Sequence, residues 1–124
     1  MRVRFTGYAC DVWSMIKGAD LFVSLSDFEG CPNTVLEAFA AGTPVVLSDI
    51  DAHRAMADEQ SAFFAPIRDV AATAAVIRRA LGDRDEAALR ARNARRRVDT
   101  MTIEAMADAY EVVYREAVPL RRGK

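Results

Sequence analysis

The sequence predicts an α/β chain: a parallel sheet of three to four short strands, flanking helices and a helical C-terminal part. Three observations carry this. The runs "DLFVSL" (residues 20–25), "PVVLS" (44–48) and "AFFAP" (62–66) have the length and apolarity of strands buried on both faces. Segments of helical periodicity separate them, and a strand–helix–strand crossover makes neighbouring strands parallel. From Asp69 onward the apolar residues recur at helical spacing. Such an arrangement is Rossmann-like.

Each element has its own signals. Residues 3–5, "VRF", read as a first short strand, ended by Gly7. Asp11 can cap a helix running to about Lys17, with Val12 and Ile16 one turn apart and Gly18 as its stop. After the strand 20–25 and a loop comes a helix over 33–41. Val35, Leu36, Phe39 and Ala40 form its apolar face, and Gly42 ends it. The strand 44–48 leads to a short helix over 52–57, then to the strand 62–66, which a proline closes. Three helical stripes follow. Val70, Ala74, Ile77 and Leu81 form the first, Ala87, Ala91, Ala94 and Val98 a weaker second, and Ile103, Met106, Tyr110, Val113 and Ala117 a strong third. Gly82 and the pair Asp99–Thr100 mark the breaks, and "PLRRGK" reads as a frayed tail.

The 124 residues suit one small domain or part of a larger one, and 52% are hydrophobic, enough for a packed core. A net charge of −1 argues against a nucleic-acid binder, which would be basic. No apolar run approaches the ~20 residues that span a bilayer, and "MRVRFTGYACD" lacks the apolar region of a secretory signal. The two cysteines, Cys10 and Cys31, make no disulfide framework and read as reduced thiols of a cytoplasmic protein. His53 is the only histidine and has no partner in metal-ligand spacing, so no metal site is expected; it reads as a surface histidine of the short helix. The run "RARNARRR" (90–97) follows Asp83, Asp85 and Glu86 on one helix. Acid first and base last complements the helix dipole. The alanine stripe is expected to pack and the arginines to face water, with peripheral contact to a membrane surface as the alternative.

The stretch "SDFEGCPNTVLEAFAAGTPVVLSD" (26–49) carries the chemistry. Ligands of open parallel sheets bind beyond the carboxyl ends of the strands, where the loop bearing Glu29 lies. The helix beginning near Asn33 offers free N–H groups and a positive dipole end, which suit a phosphate. Pro32 pre-sets the backbone there, and Gly30 allows close approach to the main chain. Glu37 lies about one turn inside this helix, roughly 6 Å from its start, and its side chain leans back toward the N-terminus. A carboxylate there would repel phosphate but can accept two hydrogen bonds from a vicinal diol such as ribose. Loop and helix thus read as a clamp for a nucleotide-sugar. The bland alternatives are a solvated loop carboxylate at Glu29 and simple dipole complementarity at Glu37.

As it stands, "EGCPNTVLEAFAAGTPVVLSD" resembles the E-x7-E hallmark of the retaining glycosyltransferases of family 4, which have the GT-B fold. The resemblance extends upstream through "VRFTGYACDVWSMIKGADLFVS" and downstream to the helical end. It implies that residues 1–124 form part of the C-terminal, nucleotide-sugar-binding Rossmann-like domain of a glycosyltransferase acting on a glycan, lipid or small-molecule acceptor. By that resemblance Glu29 is the catalytic-site residue at the donor sugar. N–H groups around Gly30 and Cys31 face sugar hydroxyls, those of Asn33 and Thr34 hold the diphosphate, and Glu37 holds the ribose. Tyr8 and Ala9 match a loop that borders the nucleobase. No cofactor is implied beyond the nucleotide-diphosphate sugar, which is a substrate. Ala55 stands where many relatives carry a glutamate.

The resemblance also implies that the acceptor-binding N-terminal domain lies outside these residues, along with the Arg and Lys that neutralise the donor phosphates. A non-catalytic binding or assembly module is the competing reading. A dinucleotide-binding reading is disfavoured, because no G-x-G-x-x-G occurs. Without the first strands of the parental sheet, the strand 20–25 would have a bare edge. Either residues 3–5 then move in beside it, or two chains pair there as a homodimer.

Overall fold

A computed structural model describes residues 3–118. In chain order the elements are α1 (Val12–Lys17), β1 (Phe22–Ser24), α2 (Asn33–Ala41), β2 (Val45–Ser48), α3 (Asp51–Arg54), β3 (Phe63–Ala65), α4 (Val70–Gly82), α5 (Arg84–Val98) and α6 (Ile103–Ala117). The three strands form one parallel sheet in the order β1-β2-β3, with Phe22 opposite Val45 and Ser48 opposite Ala65. The α/β class and the parallel sheet match the sequence reading.

Local chemistry sets the helix ends. The side chains of Asp11, Asp69, Asp83 and Thr102 each accept a hydrogen bond from a first-turn N–H of α1, α4, α5 and α6. Gly42 closes α2 at φ 74°, a left-handed conformation that costs a residue with a Cβ. Its N–H and that of Thr43 turn back onto Phe39 and Ala38, so the chain enters β2 at once.

The core has two layers. On one face of the sheet Ile16, Val35, Ala38, Phe39 and Ala94 pack on Val45 and Leu47. On the other, Ala80 and Ala87 pack with Val46, Phe63 and Ala65. Alternate residues of β2 therefore serve opposite layers, and all four are buried, as expected for a central parallel strand.

Several expectations need correction. Residues 3–5 form no strand among the described residues, so the sheet has three strands and "VRF" does not move in beside β1. Nor is β1 buried on both faces: it is an edge strand, and Val23 is 38% exposed. The short helix spans Asp51–Arg54 rather than 52–57.

The helical stripes differ in cover. The alanine stripe of α5 packs as expected, with Ala87, Ala91 and Ala94 buried against the body of the protein. Small side chains let α5 approach α2 closely, and hydrophobic bulk is no measure of that. The stripe on α4 is half covered, with Val70 85% exposed. The strongest stripe, on α6, has no buried residue. Nor do all the arginines of α5 face water. Arg90, whose side chain is 14% exposed, bonds to the Ala62 carbonyl and to Glu86 and stacks on Phe63, while Arg97 pairs with Asp58. The frayed-tail reading falls on residues outside those described.

Candidate functional site

The loops that leave the strands at their carboxyl ends form the site. After β1 the chain runs through Ser26, Asp27, Phe28 and Glu29 into α2, and after β2 it turns through Asp49 and Ile50 into α3. Between the two loops lies a hollow of about 310 Å³ lined by Asp27, Phe28, Glu29, Ile50, Asp51 and Ala52. Glu29 and Asp51, with Asp27 held in an ion pair by Arg68, make this small hollow receptive to hydroxyl groups, which can donate to carboxylates. Glu29 is half-buried there, and its Oε1 accepts a hydrogen bond from the Ser26 hydroxyl at 2.6 Å. The carboxylate is therefore aimed rather than free.

The start of α2 lies a few residues on. Pro32 is its N-cap and supplies no side-chain cap. Proline cannot donate, so the first turn's donors depend on other partners. The Asn33 N–H bonds to the Cys31 carbonyl at 2.9 Å, which corrects the expectation that it is free. No backbone acceptor is found among the described residues for the N–H groups of Gly30, Cys31 or Thr34. A Cβ built on Gly30 would meet nothing within 4 Å, so the space before this backbone is open. The thiol of Cys31 lies 3.5 Å from Asn33 Oδ1. Glu37 is exposed one turn further along the helix and has no hydrogen-bond partner among the described residues.

Glu29, Gly30, Cys31, Asn33, Thr34 and Glu37 thus follow one another along the chain, from the hollow to the second turn of α2. Tyr8 and Ala9 are not joined to that stretch. They precede α1, Tyr8 is exposed, and no hydrogen bond ties residues 3–10 to the loop among the described residues. A larger hollow, about 690 Å³, opens at the amino ends of the strands near Asp20, Gly42 and Pro44. It lies at the end of a parallel sheet where ligands are not gathered.

Charged pairs brace the loops. Arg68, in the left-handed region at φ 59°, reaches from the loop after β3 to Asp27 at 2.9 Å. The Arg54 guanidinium bonds to both oxygens of Asp49 and to Glu59. Those hydrogen bonds hold both carboxyls below their ordinary range. Among the described residues no group of three His, Cys, Asp or Glu could hold a metal ion, and no helix is long and apolar enough to cross a membrane.

His53 departs most from its sequence reading. It is fully buried, and its Nδ1 lies 2.9 Å from the Ser48 carbonyl oxygen and 3.2 Å from the Ser48 hydroxyl. Because α3 follows β2 after only Asp49 and Ile50, its ring folds back over the strand end instead of facing water. Sequence reasoning also missed Ser26 and Ser48. Their one signal was position: Ser26 three residues before Glu29, and Ser48 closing an apolar strand.

Residues 1–83 match the family model described as glycosyl transferases group 1. The chain is 33% identical over 114 residues to the lipopolysaccharide core biosynthesis glycosyltransferase LpsE of Rhizobium meliloti (strain 1021), covering 88% of this chain and 33% of that protein. It is 38% identical over 98 residues to a glycogen synthase of Mycobacterium tuberculosis (strain CDC 1551 / Oshkosh), covering 77% and 24%. Among solved structures, sucrose-phosphate synthase from Thermosynechococcus elongatus superposes with a TM-score of 0.78 at 29% identity, over 86% of this chain and 27% of that one. Anabaena Alr3699/HepE, solved in complex with UDP and glucose, gives 0.79 at 19% identity over 94% and 32%, a likeness of fold. The chain spans about a third of the length of LpsE and about a quarter of that of the glycogen synthase.

Proposed function

Because the chain belongs to the glycosyl transferases group 1 family, we propose that it supplies the nucleotide-sugar donor site of a retaining glycosyltransferase. The sugar is of hexose type, and the acceptor is a glycan, a lipid or a small molecule bound by a domain outside these residues. One observation carries the reading. A hydroxyl-seeking hollow holding Glu29, uncapped N–H groups at the start of α2, and Glu37 one turn on follow each other along the chain. That sequence of chemistries matches sugar, diphosphate and ribose in order.

The roles follow from charge. The N–H of Thr34 and the positive end of α2 face the diphosphate, whose charge grows as the bond to the sugar breaks. Fixed donors aimed at developing charge are the main way such a site lowers a barrier. Glu29, aimed by Ser26, takes sugar hydroxyls near the reacting carbon. Glu37 accepts from the ribose diol. The leaving diphosphate remains on the face from which the acceptor attacks and helps remove its proton, so configuration is retained. UDP-glucose, with which HepE was also solved, is the natural first probe.

Thermal-shift screening against UDP-, GDP- and ADP-sugars tests the reading. Stabilisation by one nucleotide-sugar beyond its free nucleoside diphosphate is expected. No response to any of them would point to the non-catalytic alternative. In the protein joined to its acceptor domain, Glu29→Ala should lower turnover more than nucleotide affinity, because it acts where charge develops. Collapse of nucleoside diphosphate binding with normal turnover of bound donor would contradict the assignment.

A further inference from the structure

The donor-site reading uses Ser26 only to aim Glu29 and assigns no role to His53 or Ser48, yet hydrogen bonds tie both to the Ser26 backbone. The Ser48 carbonyl can only accept, so His53 Nδ1, 2.9 Å away, carries the proton. The Ser48 hydroxyl lies 2.6 Å from the Ser26 carbonyl, which also can only accept, so Ser48 donates to Ser26 and its oxygen receives the second branch of the Nδ1–H at 3.2 Å. The Ser26 hydroxyl then donates to Glu29 Oε1 at 2.6 Å. Every proton in the chain has one consistent placement.

This arrangement is built at a cost. His53 and Ser48 are 0% and 2% exposed, and His53 Nε2 is buried without a partner among the described residues. An orphaned buried nitrogen opposes folding and calls for an explanation. An apolar side chain would fill the space without it. What histidine adds is the Nδ1–H, which fixes both the carbonyl and the hydroxyl of the last residue of β2. That residue grips the backbone of the loop after β1.

The geometry points to His53, Ser48 and Ser26 as a positioning relay that sets the aim of Glu29 toward the donor sugar. This rests on the donor-site reading for what Glu29 touches, but not for how Glu29 is held. Ser26 acts on the carboxylate directly. Ser48 and His53 act through it, by fixing the loop against the end of the central strand.

The test uses Ser26→Ala, Ser48→Ala and the double variant. The carboxyl carbon resonance of Glu29 is followed by NMR, and affinities for UDP-glucose and UDP by calorimetry. Expected is a displacement of the Glu29 resonance in the same direction by either single change. The ratio of UDP-glucose to UDP affinity should fall about tenfold, with UDP alone nearly unchanged. The double variant should be no worse than either single, because both act through one carboxylate. Ser26→Thr keeps the hydroxyl and should restore the ratio. A Glu29 resonance that Ser48→Ala leaves in place overturns the relay. So do effects of the two changes that add, or equal losses for UDP and UDP-glucose, which mark general damage. If the unaltered chain binds neither compound, the donor-site reading fails, and the resonance alone then decides the relay.

Discussion

The Thr43 hydroxyl donates to the Ile16 carbonyl at 2.8 Å and joins the end of α1 to the turn that enters β2. The two residues are 27 positions apart in sequence, and both are buried. Thr43 thereby holds the helix before β1 and the strand beside β1 in fixed relation.

Replacing that hydroxyl with a methyl keeps the shape and leaves the Ile16 carbonyl with only the Ala19 N–H, 3.1 Å away. Thr43→Val should destabilise the chain by about 0.5–1.5 kcal/mol, read by urea denaturation. Thr43→Ser, which keeps the donor, should lose much less. Equal losses would mean that packing rather than the hydrogen bond matters here.

Acid should expose the ion pairs around Arg54. Its hydrogen bonds hold Asp49 and Glu59 below the ordinary carboxylate range. A carboxyl depressed by folding stabilises above its unfolded value, near about 4. That contribution is lost as pH falls through the lower folded value. Arg54→Gln removes the largest cause of both shifts. Thermal midpoints followed from about pH 5 to about pH 2 should therefore fall less steeply in the variant. Both carboxylates are exposed, so the difference should be small and shrink in salt. Parallel acid slopes would show that the pairs contribute nothing.

Glu37 separates binding from folding. Its carboxylate has no hydrogen-bond partner in the protein among the described residues, so Glu37→Gln should leave stability nearly unchanged. If the ribose diol is its partner, losing one charge-assisted pair costs about 1.5–3 kcal/mol, roughly ten- to a hundredfold in Kd. Calorimetric titration with UDP-glucose decides it. Unaltered affinity removes Glu37 from the site.

What the sequence made legible follows from how far each signal reaches. The bounds of α2 were readable because they are local: Pro32 before it, Gly42 after it, and an apolar face between. The strand β2 announced itself as an unbroken apolar run, since both its faces are covered. Cover on α6 was not legible, because periodicity reports which face is apolar and not whether a neighbour covers it. Ala94 of α5 packs in the layer of α2 and Ala87 in the layer of Val46 and Phe63, whereas Ile103, Met106, Tyr110 and Val113 of α6 meet no cover among the described residues. His53 was misread for a related reason. Whether a polar side chain turns inward depends on the two-residue path from β2 to α3, and composition holds no trace of it. The site was legible as residues, and its bracing by Ser26 and Ser48 was not, because hydrogen bonds between separate loops leave no spacing to read.

The last prediction concerns the edge of the sheet. β1 bonds to β2 on one side, and among the described residues no strand lies on its other side. Val23 and Leu25 remain substantially exposed there. A bare edge with apolar neighbours is a template for another strand, and residues 3–5 do not fill it. The isolated chain should therefore self-associate as its concentration rises, in sedimentation velocity runs at low and high loading. Val23→Lys puts a charge in the middle of the edge strand, the device that natural edges use against pairing. It should shift the chain toward monomer with little loss of stability, since Val23 is already partly in water. A chain that stays monomeric at every concentration, with or without Lys at that position, would show that the edge is protected in some other way.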